Sequence, residues 1–163
     1  MLTTVHIASF DAGSHVPEQT QTATRPIAPD LFTWPSDAPQ LIGSRCTQCG
    51  TIVFPRASGC PRCGSDATET HLLPRRGRLW TFTTQGYLPK EPYAGPEIEE
   101  TFTGYGVGYV ELGGEVMVET RLTEADPAKL RIGMEMELVV TPFRTDPDGT
   151  QVMAYAFAPV EGT

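Results

Sequence analysis

All four cysteines of this chain lie between positions 46 and 63, as two Cys-x-x-Cys pairs, Cys46/Cys49 and Cys60/Cys63, each followed by glycine. Two intervening residues put both thiolates of a pair on one tight turn, aimed at a common centre. Gly50 and Gly64 supply the positive φ that such a turn needs. Two facing turns bring together four sulfurs, the donor set of tetrahedral Zn²⁺ at about 2.3 Å per bond. The spacing is a strong metal signal. Two disulfides in a secreted domain, or a rubredoxin-like iron site, are the other readings of the same thiols. With no fifth cysteine and no nearby histidine the site is closed, so its expected work is structural. A ribbon of about 25 residues cannot bury a core of its own, and the metal replaces that core. Loss of one cysteine is therefore expected to unfold the ribbon and leave the rest largely intact.

The 163 residues allow one or two small domains. A formal net charge of -8 disfavours nucleic-acid binding. Residues 45–90 hold seven basic and two acidic side chains, against four and fourteen in 91–163, so a basic ribbon sits on an acidic body. The opening MLTTVHIASF has neither a basic n-region nor an apolar h-region, and no signal peptide is expected. No apolar run approaches the ~18 residues of a membrane span. Zinc-type cysteines without a secretory signal point to the reducing cytoplasm.

Residues 1–29 are polar and lack periodicity, which reads as a flexible tail. Residues 30–70 hold an apolar anchor around Phe32 and Trp34 and then the ribbon. The anchor would pack on the chain's own body or on a partner. Residues 71–163 read as strands: RLWTFTTQ, then GYGVGYVEL and EVMVETRL flanking Gly113-Gly114, then MEMELVVTPFR and TQVMAYAFAPV. In the third, Val116, Val118, Thr120 and Leu122 share a face. TEADPAKLRIG reads as a short helix, with Asp126 as N-cap, Pro127 at the first helical position and Gly133 closing it. The fold class is thus mostly β: an N-terminal zinc ribbon followed by a five-stranded OB-fold barrel with one short helix. A long acidic connection, 86–101, joins the first two barrel strands and carries Tyr87 and Tyr93.

The alternating Gly104, Gly106 and Gly108 do not make a dinucleotide fingerprint, because the spacing is wrong and no helix follows. They fit bending or close backbone approach. The three histidines, His6, His15 and His71, have no nucleophile to serve, and every cysteine is assigned to metal. No catalytic residue is proposed, and the chain alone is not expected to catalyse a reaction.

LFTWPSDAPQLIGSRC, CxxCG, FP, CPRCG, GRLWTFT, GYVEL and IGMEMELVV together resemble the "domain of unknown function 35" family. Members pair a rubredoxin-like zinc ribbon with an acyl-CoA-associated OB-fold. The resemblance covers roughly 30–160 and is closest to small subunits of the benzoylsuccinyl-CoA thiolase kind. It implies a non-catalytic accessory subunit, hetero-oligomeric with a thiolase-fold enzyme that cleaves a β-ketoacyl-CoA. It equally allows a subunit of a side-chain aldolase, hydratase or acetyltransferase. A ribbon/OB module for nucleic acid is the reading from another class. The loop 86–101 is longer and more acidic than the family's usual one, so its role does not carry over.

Beside the resemblance stands the chemistry of coenzyme A, which carries several phosphate charges. Arg56, Arg62, Arg75, Arg76 and Arg78 lie in or just after the ribbon and would bind them by bidentate hydrogen bonds. Otherwise they form a solvated face or pair with the acidic body. Phe32, Trp34, Tyr87 and Tyr93 are the expected contacts with the partner enzyme.

Overall fold

The computed structural model describes residues 22–160. It contains nine strands in two sheets and, among the described residues, no helix. The three-stranded ribbon sheet has the order β3-β2-β4, from Ile52–Val53, Ile42–Cys46 and Thr68–Leu72. The barrel is built from β5 (Arg76–Gln85), β6 (Tyr105–Leu112), β7 (Val116–Leu122), β8 (Glu135–Thr145) and β9 (Gln151–Pro159). Its order β9-β7-β6-β5-β8 closes on itself through β8–β9 pairing. A single parallel contact, Leu122 opposite Phe157, joins β7 to β9. That circuit is the OB-fold.

Alternation explains the strands. Along β6, Gly106, Gly108, Val110 and Leu112 are buried, and the residues between them face outward. Along β7, Val118, Thr120 and Leu122 are buried and Val116 is partly so. Gly113 and Gly114, at φ 63° and 71°, make the turn between them, closed by a 3.0 Å bond from the Glu115 amide to the Leu112 carbonyl. Two barrel glycines, buried Gly106 and part-buried Gly77, answer to crowding. A Cβ on Gly106 would stand 2.4 Å from the Glu124 carbonyl oxygen, and one on Gly77 would stand 2.2 Å from that of Glu111. The barrel closes this tightly only where side chains are missing.

The expected helix at Asp126 is corrected to a single turn. The Asp126 carboxylate accepts from the Ala128 amide at 2.9 Å, and its carbonyl accepts from the Lys129 amide at 3.0 Å. The chain then leaves the turn because two other demands prevail. Leu130, 4% exposed, joins the barrel core. The Gly133 amide donates to the Leu79 carbonyl at 2.7 Å, and the Met134 carbonyl accepts from the Leu79 amide at 2.9 Å. Those backbone groups complete β5 beside its bulge between Leu79 and Thr81.

The tail is also corrected. Residues 1–21 of that expectation lie outside the described residues, but Thr24–Pro26 form β1, parallel to β9. Arg25 holds this strand by donating to Asp146 from Nε at 3.1 Å and from Nη2 at 2.5 Å.

The core continues from barrel to ribbon. Phe157, Leu79, Leu112, Met136 and Leu138 fill the barrel, and Phe32, Leu41 and Leu73 belong to the same buried cluster. Ile52 and Phe54 of the ribbon pack against it. The two units expected from the sequence thus share apolar surface.

Candidate metal centre and the surrounding surface

The two knuckles are built alike. The Gly50 amide donates to the Cys46 carbonyl and the Gly64 amide to the Cys60 carbonyl, both at 2.9 Å, with Gly50 at φ 73° and Gly64 at φ 72°. Strand β2 delivers Cys46 to the first turn. The Cys46 amide is fixed by the Thr51 carbonyl at 2.9 Å, and the Cys60 amide by the Ser65 carbonyl at 2.8 Å. The four sulfurs all lie within 4.8 Å of one another, with Cys46–Cys63 at 3.6 Å and Cys49–Cys60 at 3.5 Å. A tetrahedron of ~2.3 Å Zn–S bonds has edges of roughly 3.8 Å. The set therefore fits one zinc ion, which these four residues would hold.

Crowding the four sulfurs splits their acidities. A hydrogen bond with the Thr51 side chain, helped by the Thr51 amide, lowers the Cys49 thiol to about 6. The Cys63 amide, foremost, lowers Cys60. At Cys63 the Ser65 amide pulls downward, but crowding by the Cys49 and Cys46 sulfurs prevails and pushes it up to about 12. Four thiolates this close repel until a cation neutralises them.

The five arginines do not form one cluster. Arg56 donates to Thr70 Oγ1 at 3.3 Å on one side of the ribbon, and Arg62 lines a separate concavity with Arg45 and Glu115. Arg75 pairs with Glu137 at 3.4 Å, and Arg76 with Glu137 at 3.1 Å and Glu135 at 3.5 Å. Arg78 donates to the Gly133 carbonyl at 3.1 Å. The acidic body thus engages Arg75 and Arg76.

Of the expected partner contacts, Phe32 is corrected: it is 3% exposed and sits in this chain's own core. The Phe32–Leu41 bridge and the bonds Thr33–Gln40 and Ile42–Leu31, each 2.9 Å, fold the anchor back on the ribbon's entry. Trp34 stands edge-on to Phe32 and is half-buried. Tyr87 is 75% exposed. Tyr93 is fastened to the barrel, donating to Glu97 at 2.7 Å and accepting from Arg121 at 2.7 Å. Burial, then the bond to Glu97, pushes the Tyr93 hydroxyl up to about 12 against the pull of Arg121.

Sequence reasoning missed Arg121. Its guanidinium lies 3.6 Å from the Tyr105 ring centroid and 5.4 Å from that of Phe143. The signal was the β6–β7 register, which pairs Val107 with Arg121 and so places Arg121 on the outward face that also carries Tyr105.

These features define a class: a zinc ribbon whose four-cysteine centre is fused through a shared core to a closed OB barrel. Residues 37–69 match the family described as "ChsH2, rubredoxin-like zinc ribbon domain", and residues 70–141 match "ChsH2, C-terminal OB-fold domain". The chain belongs to this ChsH2-type family, the zinc-ribbon and OB-fold proteins also described as DUF35. It is 35% identical over 131 residues to the benzoylsuccinyl-CoA thiolase subunit BbsA of Thauera aromatica, covering 79% of this chain and 84% of that one. It is 31% identical over 122 residues to a DUF35 domain-containing scaffold protein of Pyrococcus furiosus, covering 74% and 84%. Among solved structures it resembles the Ltp2-ChsH2(DUF35) aldolase at a TM-score of 0.54 and 28% identity, covering 74% of this chain and 84% of that one. No helix among the described residues is long and apolar enough to cross a membrane.

Proposed function

We propose that this chain is a non-catalytic zinc-bearing subunit that assembles with a thiolase-fold enzyme acting on acyl-CoA. The observation that carries this reading is the 35% identity, across 79% of the chain, to a named thiolase subunit. The chain's own chemistry supports it. All four cysteines converge on one metal-binding centre, so no thiol is left over for an acyl-enzyme. The nucleophile and the acid-base groups would come from the larger subunit. The small subunit would hold the assembly together and shape the entrance for the CoA thioester. Arg56 and Arg62 on the ribbon would meet the CoA phosphates, because Arg75 and Arg76 are already paired with Glu135 and Glu137.

The test is co-expression with the cognate thiolase-fold enzyme, followed by co-purification and assays on a panel of CoA thioesters. A stable hetero-oligomer whose activity exceeds that of either chain alone is expected. Turnover by this chain free of any second polypeptide would overturn the reading.

The likeness to the Ltp2-ChsH2(DUF35) aldolase favours a second reaction for the partner, retro-aldol cleavage. Product analysis separates the two. Thiolysis consumes free CoA and yields two thioesters; retro-aldol cleavage consumes none and yields a carbonyl compound and one thioester.

A further inference from the structure

Arg121 lines a groove of about 470 Å³ on the outside of the barrel, together with Ile27, Val107, Phe143, Tyr155 and neighbours. That volume suits a small organic ligand. Among the lining residues Arg121 is the one cation. Its guanidinium carbon lies 3.6 Å from the Tyr105 ring centroid, a cation–π contact that does not itself use the five N–H donors of an arginine. Nη2 donates to Tyr93, but the nearest carboxylate oxygen, Glu97 Oε1, stands 4.0 Å from Nη1, beyond hydrogen-bond length. Glu97 itself is not a lining residue; the acid that lines the groove, Glu119, accepts from Tyr109 at 3.0 Å.

Tyr93 and Glu97 come from the connection 86–104 and are not barrel residues. A partly exposed ion pair at this separation is weak and screened. A ligand carboxylate or phosphate seated bidentately on the same guanidinium makes a stronger contact. The loop thus places a carboxylate close to the cation without making the bond that an incoming anion would make.

We propose that this groove binds an organic anion with an apolar body and a carboxylate or phosphate end, and that Glu97 holds the anion's place beside Arg121 until it arrives. The apolar lining takes the body; Arg121 takes the charged end; the loop gives way. This site is separate from the ribbon arginines and does not depend on the assembly reading.

The experiment uses the full chain and three probes: phenylacetate, phenylphosphate and the neutral phenylacetamide. Binding is followed by calorimetry, and exchange of loop amides 87–101 by mass spectrometry. At least one anion should bind, and the tighter of the two identifies the headgroup. The amide should bind about tenfold more weakly or worse. E97Q should tighten anion binding about five- to tenfold, the range of a modest coupling between competing groups. R121K, which keeps the charge and loses the planar fork, should weaken it about tenfold. Loop amides should exchange faster with ligand bound. Equal binding of the amide, no binding of either anion, unchanged affinity in E97Q, or loop amides that become more protected would each overturn the proposal. If R121K does not retain the wild-type melting temperature, the E97Q and amide comparisons decide without it.

Discussion

Phe54 of the ribbon stands edge-on against Tyr155 of β9, ring centroids 5.7 Å apart and planes at 88°. This contact, with Ile52 packed on the same core, couples the metal-held half of the molecule to the barrel. The expectation that a cysteine loss spares the barrel therefore changes. Structural zinc contributes on the order of 10 kcal/mol to the folding of a ribbon. When the ribbon unfolds, the barrel loses its cover at Tyr155. Cys49→Ser, or removal of metal by a chelator, should abolish protection of β2 and β4 in amide exchange and also lower the barrel's melting temperature. Phe54→Ala should weaken the coupling at a cost of roughly 1–3 kcal/mol with zinc content unchanged. A barrel transition indifferent to metal would refute the coupling.

Gly77 offers a second test. A methyl there would meet the Glu111 carbonyl oxygen at 2.2 Å and the Leu112 side chain at 2.6 Å, inside a closed sheet with no room to move. Gly77→Ala should cost roughly 1–3 kcal/mol or more by overpacking. Gly114→Ala meets nothing within 4 Å and bears only the φ of 71°. It should cost roughly 1 kcal/mol. Denaturant melts of the two variants check the order.

The contrast shows what was legible beforehand. Period-two alternation in β6 and β7 and the Gly113-Gly114 turn are local signals, and they mark the barrel strands from sequence alone. The cysteine spacing did the same for the metal centre. Strand β1 carried no such signal. Thr24, Arg25 and Pro26 are polar or helix-averse, and they order only because β9 and Asp146, over a hundred residues away, supply backbone and charge partners. The lost helix at Asp126 has the converse cause. Its cap was present, but distant pairing with Leu79 prevailed over local propensity. Phe32 read equally well as core or as interface, because hydrophobicity alone does not say which chain buries it.

Acid should release β1. Arg25, foremost, and Arg144 hold the Asp146 carboxyl below the usual carboxylate range. A depressed folded value stabilises the structure above the unfolded value, about 3.9, and that contribution is lost as pH falls through the folded value. Between neutral pH and about 4 the β1 contact should hold. Below that, exchange or proteolysis at 22–27 should rise ahead of global unfolding. Asp146→Asn should show the same early release at neutral pH, and salt should weaken the wild-type contact.

Alkali should loosen the loop latch. Tyr93 is pushed up to about 12, so its neutral hydroxyl stabilises the fold below the unfolded value near ~10, and the contribution is lost as pH rises towards 12. Phenolate absorbance of wild type against Tyr93→Phe should isolate one late-titrating tyrosine. Exchange of the loop 87–101 should quicken over the same window. A Tyr93 that titrates at the unfolded value of about 10 would mean that the bonds to Glu97 and Arg121 do not persist in solution.

Phe32 and Tyr87 separate folding from assembly. Phe32 is in the core, and its truncation to alanine should cost about 3–5 kcal/mol. Any loss of partner binding in that variant would follow from instability. Tyr87 is 75% exposed on the connection between β5 and β6, so its own fold does not depend on it. An aromatic side chain left this open is the kind of residue that anchors an interface. Tyr87→Ala should leave the melting temperature and zinc content unchanged and weaken association with the thiolase-fold subunit about tenfold or more, as read by titration of labelled small subunit into the large one. Trp34, half-buried against Phe32, should affect both measurements when changed to alanine. If Tyr87→Ala associates as tightly as wild type, the connection is not part of the interface, and the partner must be met elsewhere on this chain.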